Sequence, residues 1–138
     1  MAEKTQKLTV VTPARIVYTD DVRMVHAVGT DGDLGVLPEH APLITSLKIS
    51  ILRVQKEGKW TKLAVSGGFM EVKDSNAVIL ANAAELAEEI DVARAQRAKE
   101  RAEQRLASKS PEIDIARAEA ALARALARLK AAQPDSMH

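Results

Sequence analysis

The sequence changes character once, just after Asn82, and that change limits what the chain can fold into. All six glycines precede it; beyond it alanine is the commonest residue and only Pro111 and Pro134 remain of the prolines. A valine- and isoleucine-rich half punctuated by glycine suits short strands joined by turns, whereas an alanine-rich half without glycine suits helices. The chain is therefore expected to be α+β, with a β unit over residues 1–84 and a helical unit over 85–138.

Within the first half, Leu8 to Thr12, Arg15 to Tyr18 and Val22 to Val28 read as strands separated by Pro13 and by the Asp20-Asp21 pair. The third has no strongly polar face, which suggests a strand covered on both sides. The fifteen residues Gly29 to Leu43 hold three glycines and two prolines and read as a loop system. Those glycines do not make a phosphate cradle, since no Gly-Lys-Ser/Thr follows and no helix start supplies a dipole. Leu47 to Gln55 and Trp60 to Ser66 flank Lys56-Glu57-Gly58-Lys59 as a hairpin. Gly67-Gly68 then interrupts the pattern as a bulge or a close backbone approach would, before Phe69 to Val72, a turn at Asp74-Ser75-Asn76, and Ala77 to Ala81. Short strands at this spacing indicate a two-sheet sandwich or a flattened barrel.

In the second half, Val92 to Ala107 forms one helix, with Asp91 at its N-cap. A second helix runs to about Ala132, with Ser110-Pro111-Glu112 as its expected start, and the short break implies an antiparallel pair. Leu122, Leu126 and Leu129 supply an apolar stripe, but alanine fills most other apolar positions. Each leucine replaced by alanine forgoes about 2 kcal/mol of burial at a seam, at about 0.8 kcal/mol per CH₂. Strong helices joined by a weak seam suit an element that opens without melting.

Composition removes several function classes. Without cysteine there is no disulfide, thiolate metal site or cysteine nucleophile, and His26, His40 and His138 are too scattered for a metal. No apolar run is long enough to cross a membrane. A formal net charge of +1 and three aromatic residues, Tyr18, Trp60 and Phe69, argue against nucleic acid as a partner. No nucleophile, base and orienter can be assembled, so an enzyme is the weakest reading.

Asp91 and Arg94 are one turn apart at the junction of the two halves, fit either to pair with each other or to hold a polar ligand. Arg94, Arg97, Arg101 and Arg105 stripe the first helix, and Arg117, Arg124 and Arg128 recur on the second. Converging stripes would offer guanidinium forks to a polyphosphate; the other reading is a solvated face balanced by Glu100, Glu103, Glu112 and Glu119.

Three stretches carry a family resemblance. They are Gly32-Asp33-Leu34-Gly35-Val36-Leu37-Pro38 with His40-Ala41-Pro42-Leu43, Ser66-Gly67-Gly68-Phe69 with Glu71-Val72, and Ile90-Asp91-Val92-Ala93-Arg94-Ala95, which matches an I-D-x-x-R-A motif. In this order they resemble the epsilon subunit of the F-type ATP synthase, from about Leu8 to Ala132, and most of all subunits from Bacillus-type bacteria. Glu39 departs from the pattern, since many members have glycine there.

The resemblance implies a ten-stranded β-sandwich followed by an antiparallel two-helix hairpin. It implies a non-catalytic subunit on the cytoplasmic face of the bacterial cell membrane, peripheral to it and reaching it only through the complex. Its implied partners are the gamma subunit, the c-ring and, with the hairpin extended, the alpha/beta catalytic head, where the hairpin restrains hydrolysis. Asp31, Asp33 and Leu34 match the loop facing the ring, and His40 a position facing gamma. ATP is the implied regulatory ligand, with magnesium an open question, held at Glu85, Ile90, Asp91, Arg94, Ala95, Arg101, Arg124 and Arg128. A structural adaptor, with the motif serving only as cap and salt bridge, is the competing reading.

Overall fold

The structure is a computed structural model and describes residues 4–108 and 110–134. Eight strands come first: β1 (Gln6–Val11), β2 (Ile16–Val22), β3 (Met24–Gly29), β4 (Gly32–Val36), β5 (Leu43–Lys56), β6 (Lys59–Lys73), β7 (Asn76–Ala81) and β8 (Ala84–Leu86). A 3-10 turn, Ala87–Glu89, leads into α1 (Val92–Ala107) and α2 (Ile115–Ala132). The strands lie in the order β2-β1-β7-β6-β5-β3-β4, with β8 also on β6. All pairs are antiparallel except β1 with β7.

Alternate residues of these strands fill the sandwich core, among them Leu8 and Val10, Val25 and Ala27, Leu52 and Val54, Leu63 and Val65, and Met70 and Val72. Period-two burial is what a sheet with one face inward requires. Buried Gln6 ties strands together at one edge, its Nε2 donating to the carbonyl of Val36 at 2.8 Å and of Arg23 at 3.3 Å.

Eight strands form among the described residues, where ten were expected. The difference lies in β5 and β6, which run 14 and 15 residues. Their ladder skips one pair, Lys48 with Gly67, and resumes in the same register, so each remains a single strand. Gly67 and Gly68 do not form a bulge, since the β6–β7 register is also unbroken. They mark a close approach instead. Here β6 passes its free edge from β8 to β7: Ser66 N–H donates to Ala83 O at 2.9 Å and Asn82 N–H to Gly67 O at 3.1 Å.

Two further expectations need correction. The stretch from Gly29 to Leu43 is not all loop, because β4 pairs with β3 across the two-residue turn Thr30-Asp31. The alternation of Asp33 and Gly35 with Leu34 and buried Val36 is that of a strand, and the end of the sheet order tolerates glycine and aspartate. Likewise Asp20-Asp21 lies inside β2, at the opposite end, where carboxylates reach solvent. Glu39 does take the conformation glycine would, at φ +66°, with its N–H donating to Ser75 Oγ at 2.9 Å.

Asp20 also bridges β2 to β5, accepting from Lys56 Nζ at 2.7 Å. That bond, with the Asp21 N–H, lowers the Asp20 pKa, and the same bond raises that of Lys56. A lowered carboxyl pKa contributes stability above the unfolded value, lost as pH falls through the folded one; the raised lysine pKa contributes below its usual value and loses it in alkali. Asp20→Asn should therefore melt slightly earlier than the parent at neutral pH, the gap closing below the usual carboxylate range in pH-dependent melting.

Each helix starts at an aspartate. Asp91 Oδ1 accepts from Arg94 N–H at 3.0 Å and Asp114 Oδ1 from Arg117 N–H at 3.1 Å. Asp114 is thus the second cap, in place of Ser110-Pro111-Glu112, which forms a turn in which Ile113 N–H reaches Ser110 O. A carboxylate aimed at the first-turn N–H groups also complements the helix dipole. Helix α2 packs on β5 and β6, and α1 packs on α2.

The buried faces of the helices are alanine: Ala95 and Ala102 on α1, Ala118, Ala125, Ala127 and Ala131 on α2. Ala127 and Ala131 meet Ile51, Ala64 and Ile90 under the sandwich's outer face. Of the leucine stripe, Leu126 is 44% exposed and Leu122 and Leu129 only half-buried, so the fully buried positions belong to alanines.

Candidate functional site

Where the sandwich gives way to α1, a polar cavity of about 430 Å³ is lined by Glu85, Glu89, Asp91, Arg94, Ala95, Ala98, Arg101 and Arg128. Four segments build it. Glu85 comes from β8, Glu89 from the 3-10 turn, Asp91 through Arg101 from the cap and first turns of α1, and Arg128 from α2. Docking of α2 on β5 and β6 carries Arg128 to β8, where its Nε donates to Glu85 Oε1 at 2.6 Å, both side chains about one-third exposed (34% and 35%).

The lining holds three carboxylates and three guanidinium groups. Each carboxylate is already engaged: Glu85 by Arg128, Glu89 by Arg15 at 3.0 Å, and Asp91 by the Arg94 backbone N–H. Among the described residues neither Arg94 nor Arg101 enters an ion pair. Arg94 and Arg101 stand two helical turns apart on α1, about 10 Å along the axis between their Cα atoms at 1.5 Å per residue. Buried Ala95 offers no bulk between them. A cavity of this size with a few convergent polar groups suits a small ligand, and two cations without an ion-pair partner among the described residues suit an anionic one.

Of the residues expected at a ligand site, Glu85, Asp91, Arg94, Ala95, Arg101 and Arg128 come together here. Ile90 lies beneath, buried in the apolar cluster with Ile51 and Ala131, and Arg124 is half-buried outside the lining. Arg97, Arg105 and Arg117 are exposed and do not join it, so the stripes converge only in part. Of the two roles open to Asp91 and Arg94, a side-chain ion pair does not form; Asp91 is the expected N-cap and accepts from the Arg94 backbone N–H.

Sequence reasoning missed Glu89 and Ala98, and also the recurrence of the motif. Ile113-Asp114-Ile115-Ala116-Arg117-Ala118 repeats Ile90 to Ala95 at the start of α2. Both copies cap a helix with nearly the same backbone angles and bury their alanine, at 2% and 3% exposure. Only the first copy borders the cavity. The motif is therefore first a helix start, and its surroundings decide whether it is also a site.

Elsewhere, Asp31, Asp33 and Leu34 sit on the β3–β4 hairpin, with Asp33 3.8 Å from His26 Nε2. His40 follows that hairpin, its Nδ1 2.7 Å from Ala41 O, and His138 lies outside the described residues. On the outer face of β5, β6 and β7, Ile44, Phe69 and Leu80 are more than half exposed and border an apolar groove of about 220 Å³ with Val78. Among the described residues, no helix is long and apolar enough to cross a membrane.

Residues 5–87 match the family described as ATP synthase, Delta/Epsilon chain, beta-sandwich domain, and residues 88–133 match its long alpha-helix domain. The chain belongs to the ATP synthase delta/epsilon family. As a delta/epsilon chain it is 64% identical over 111 residues to the ATP synthase epsilon chain of Desulforudis audaxviator, covering 80% of this chain and 81% of that one. With the ATP synthase epsilon chain of Bacillus subtilis it shares 50% over 107 residues, covering 78% and 81%. A chain in the cryo-EM structure of the Euglena gracilis mitochondrial ATP synthase superposes with a TM-score of 0.79 at 28% identity, covering 93% of this chain and 81% of that one. A chain of the Tetrahymena thermophila mitochondrial ATP synthase, at 13% identity and TM-score 0.60, covering 96% and 100%, shares the fold.

Proposed function

We propose that this delta/epsilon chain is a non-catalytic central-stalk subunit of a rotary ATP synthase in bacteria, and that its two helices are an antiparallel hairpin whose docked position is stabilised by bound ATP. The observation that carries the nucleotide reading is the junction cavity, where Arg94 and Arg101 stand unpaired among the described residues beside Asp91. Their guanidinium groups would hold the polyphosphate, and Arg128 ties the second helix to the same cavity, so the ligand touches both helices and the sandwich edge. Antiparallel packing is supported by the start of α1, Val92 and Gln96, lying beside the end of α2, Leu129 and Ala132. The sandwich, which takes in β8 to Leu86, and the helices α1 and α2 are the two working parts.

In this reading the hairpin restrains ATP hydrolysis when it undocks and reaches the alpha/beta head. Ligand at a hundred times its dissociation constant stabilises the docked form by about 2.7 kcal/mol, enough to reverse a marginal equilibrium. The apolar strip Ile44, Phe69 and Leu80, together with His40, suits the gamma subunit, and the β3–β4 hairpin with Asp31, Asp33 and Leu34 suits the c-ring. In this reading the chain sits at the cytoplasmic face of the membrane, held there by the complex. Hydrolysis by the catalytic complex reconstituted with this chain should rise several-fold when the chain is ended after Ile90; an unchanged rate would remove the inhibitory role.

A second reading has one observation in its favour. The repeated motif at Asp114 caps a helix without lining the junction cavity, so the first copy could serve as a cap alone, in a structural stalk adaptor.

A further inference from the structure

Among the described residues, Arg15 is the ion-pair partner of a lining residue that belongs to neither the hairpin nor the junction. It stands just before β2, and the turn that carries it is pinned: Thr12 N–H donates to Arg15 O at 2.9 Å, and Thr12 Oγ1 accepts from the N–H groups of Ala14 and Arg15, each at 3.3 Å. Its NH2 reaches Glu89 Oε2 at 3.0 Å. Glu89 lines the cavity, so without this contact a carboxylate is free to swing into the space between Arg94 and Arg101.

A pair this exposed, 54% and 42%, contributes little to stability. Its effect lies in where it puts charge. Neutralised and held toward the sandwich, Glu89 neither repels an incoming polyanion nor competes with it for Arg94 and Arg101. We propose that Arg15 is a positioning residue of the anion site: it screens Glu89 from the sandwich side, so that the site is complete only when the 3-10 turn lies against the β1–β2 turn. This rests on the nucleotide reading above and extends it to a residue far away in sequence.

The test is titration of the full chain with ATP, comparing parent, Arg15→Ala, Arg15→Lys, Glu89→Gln and the Arg15→Ala/Glu89→Gln double variant, each with a melting curve. Arg15→Ala should weaken binding by about threefold to tenfold, as one uncompensated charge near a solvated site would, with the melting temperature nearly unchanged. Arg15→Lys should largely restore affinity. Glu89→Gln should strengthen it, and in the double variant Glu89→Gln should cancel the loss. The loss in Arg15→Ala should be smaller for AMP than for ATP, which a merely structural role would not produce. Equal affinities for parent and Arg15→Ala would overturn the role of Arg15 while leaving the nucleotide site standing. No binding by the parent at millimolar ATP would overturn both.

Discussion

Gly68→Ala is expected to cost at least about 4 kcal/mol and to leave the sandwich largely unfolded at physiological temperature. Gly68 sits at φ +141°, where a side chain is strained, and a Cβ built there would lie 2.1 Å from the Leu80 carbonyl oxygen and 2.8 Å from Ala81 Cα. Both contacts are backbone atoms of the paired strand β7, so relief requires β6 and β7 to separate where six residue pairs join them. Gly67→Ala is the comparison. Its φ is +78°, but the nearest atom is Leu47 O at 3.5 Å, so the expected cost is only the left-handed penalty of about 1–2 kcal/mol. Denaturant midpoints of the two variants should differ widely. Similar midpoints would mean that the close approach at Gly68 does not hold the sandwich together.

The second large effect separates cap from ligand site. Asp91→Ala/Arg94→Ala and Asp114→Ala/Arg117→Ala remove the same motif from two helix starts of nearly identical geometry. Loss of an aspartate cap costs about 0.5–2 kcal/mol in either place. Only the first pair borders the cavity, so only that variant should lose ATP affinity, by about a hundredfold if two charge-assisted contacts of about 1.5 kcal/mol each disappear. Calorimetric titration with ATP, and with ADP alongside, reads the difference. Equal affinity in the two variants would reduce Asp91 and Arg94 to a cap.

What the sequence made legible follows from how local each signal is. The shift from glycine-punctuated strands to alanine-rich helices, the Lys56-Glu57-Gly58-Lys59 turn and the Asp91 cap depend on residues within one turn of one another, and each appears in the fold. The extent of β6 was not legible, because a strand that runs through Gly67 and Gly68 without losing register looks like two strands in one dimension. Strand β4 was hidden by its glycines and aspartate, which an edge position tolerates.

At the candidate site, Asp91, Arg94, Ala95 and Arg101 share one helix and could be grouped by periodicity alone. Glu85 entered only through the family resemblance, and Arg128, marked by the arginine stripe of the second helix, had no signal placing it beside Glu85, since their 2.6 Å contact spans 43 residues. Arg15 and Glu89 are 74 residues apart and had no signal of either kind. One signal was available and overlooked: the direct repeat of Ile90 to Ala95 at Ile113 to Ala118, which identifies the motif as a helix start before any ligand is considered.

Amide hydrogen exchange along α1 and α2, with and without ATP, measures most directly whether nucleotide holds the hairpin docked. If the alanine seam opens below the energy of global unfolding and ATP binds only the docked form, exchange in both helices should slow by about a hundredfold at a hundred times the dissociation constant. Exchange in the sandwich core at Leu63 and Met70 should stay unchanged, and Asp91→Ala/Arg94→Ala should abolish the slowing. Helices that exchange identically with and without ATP, or that open only when the sandwich unfolds, would contradict a nucleotide-set hairpin.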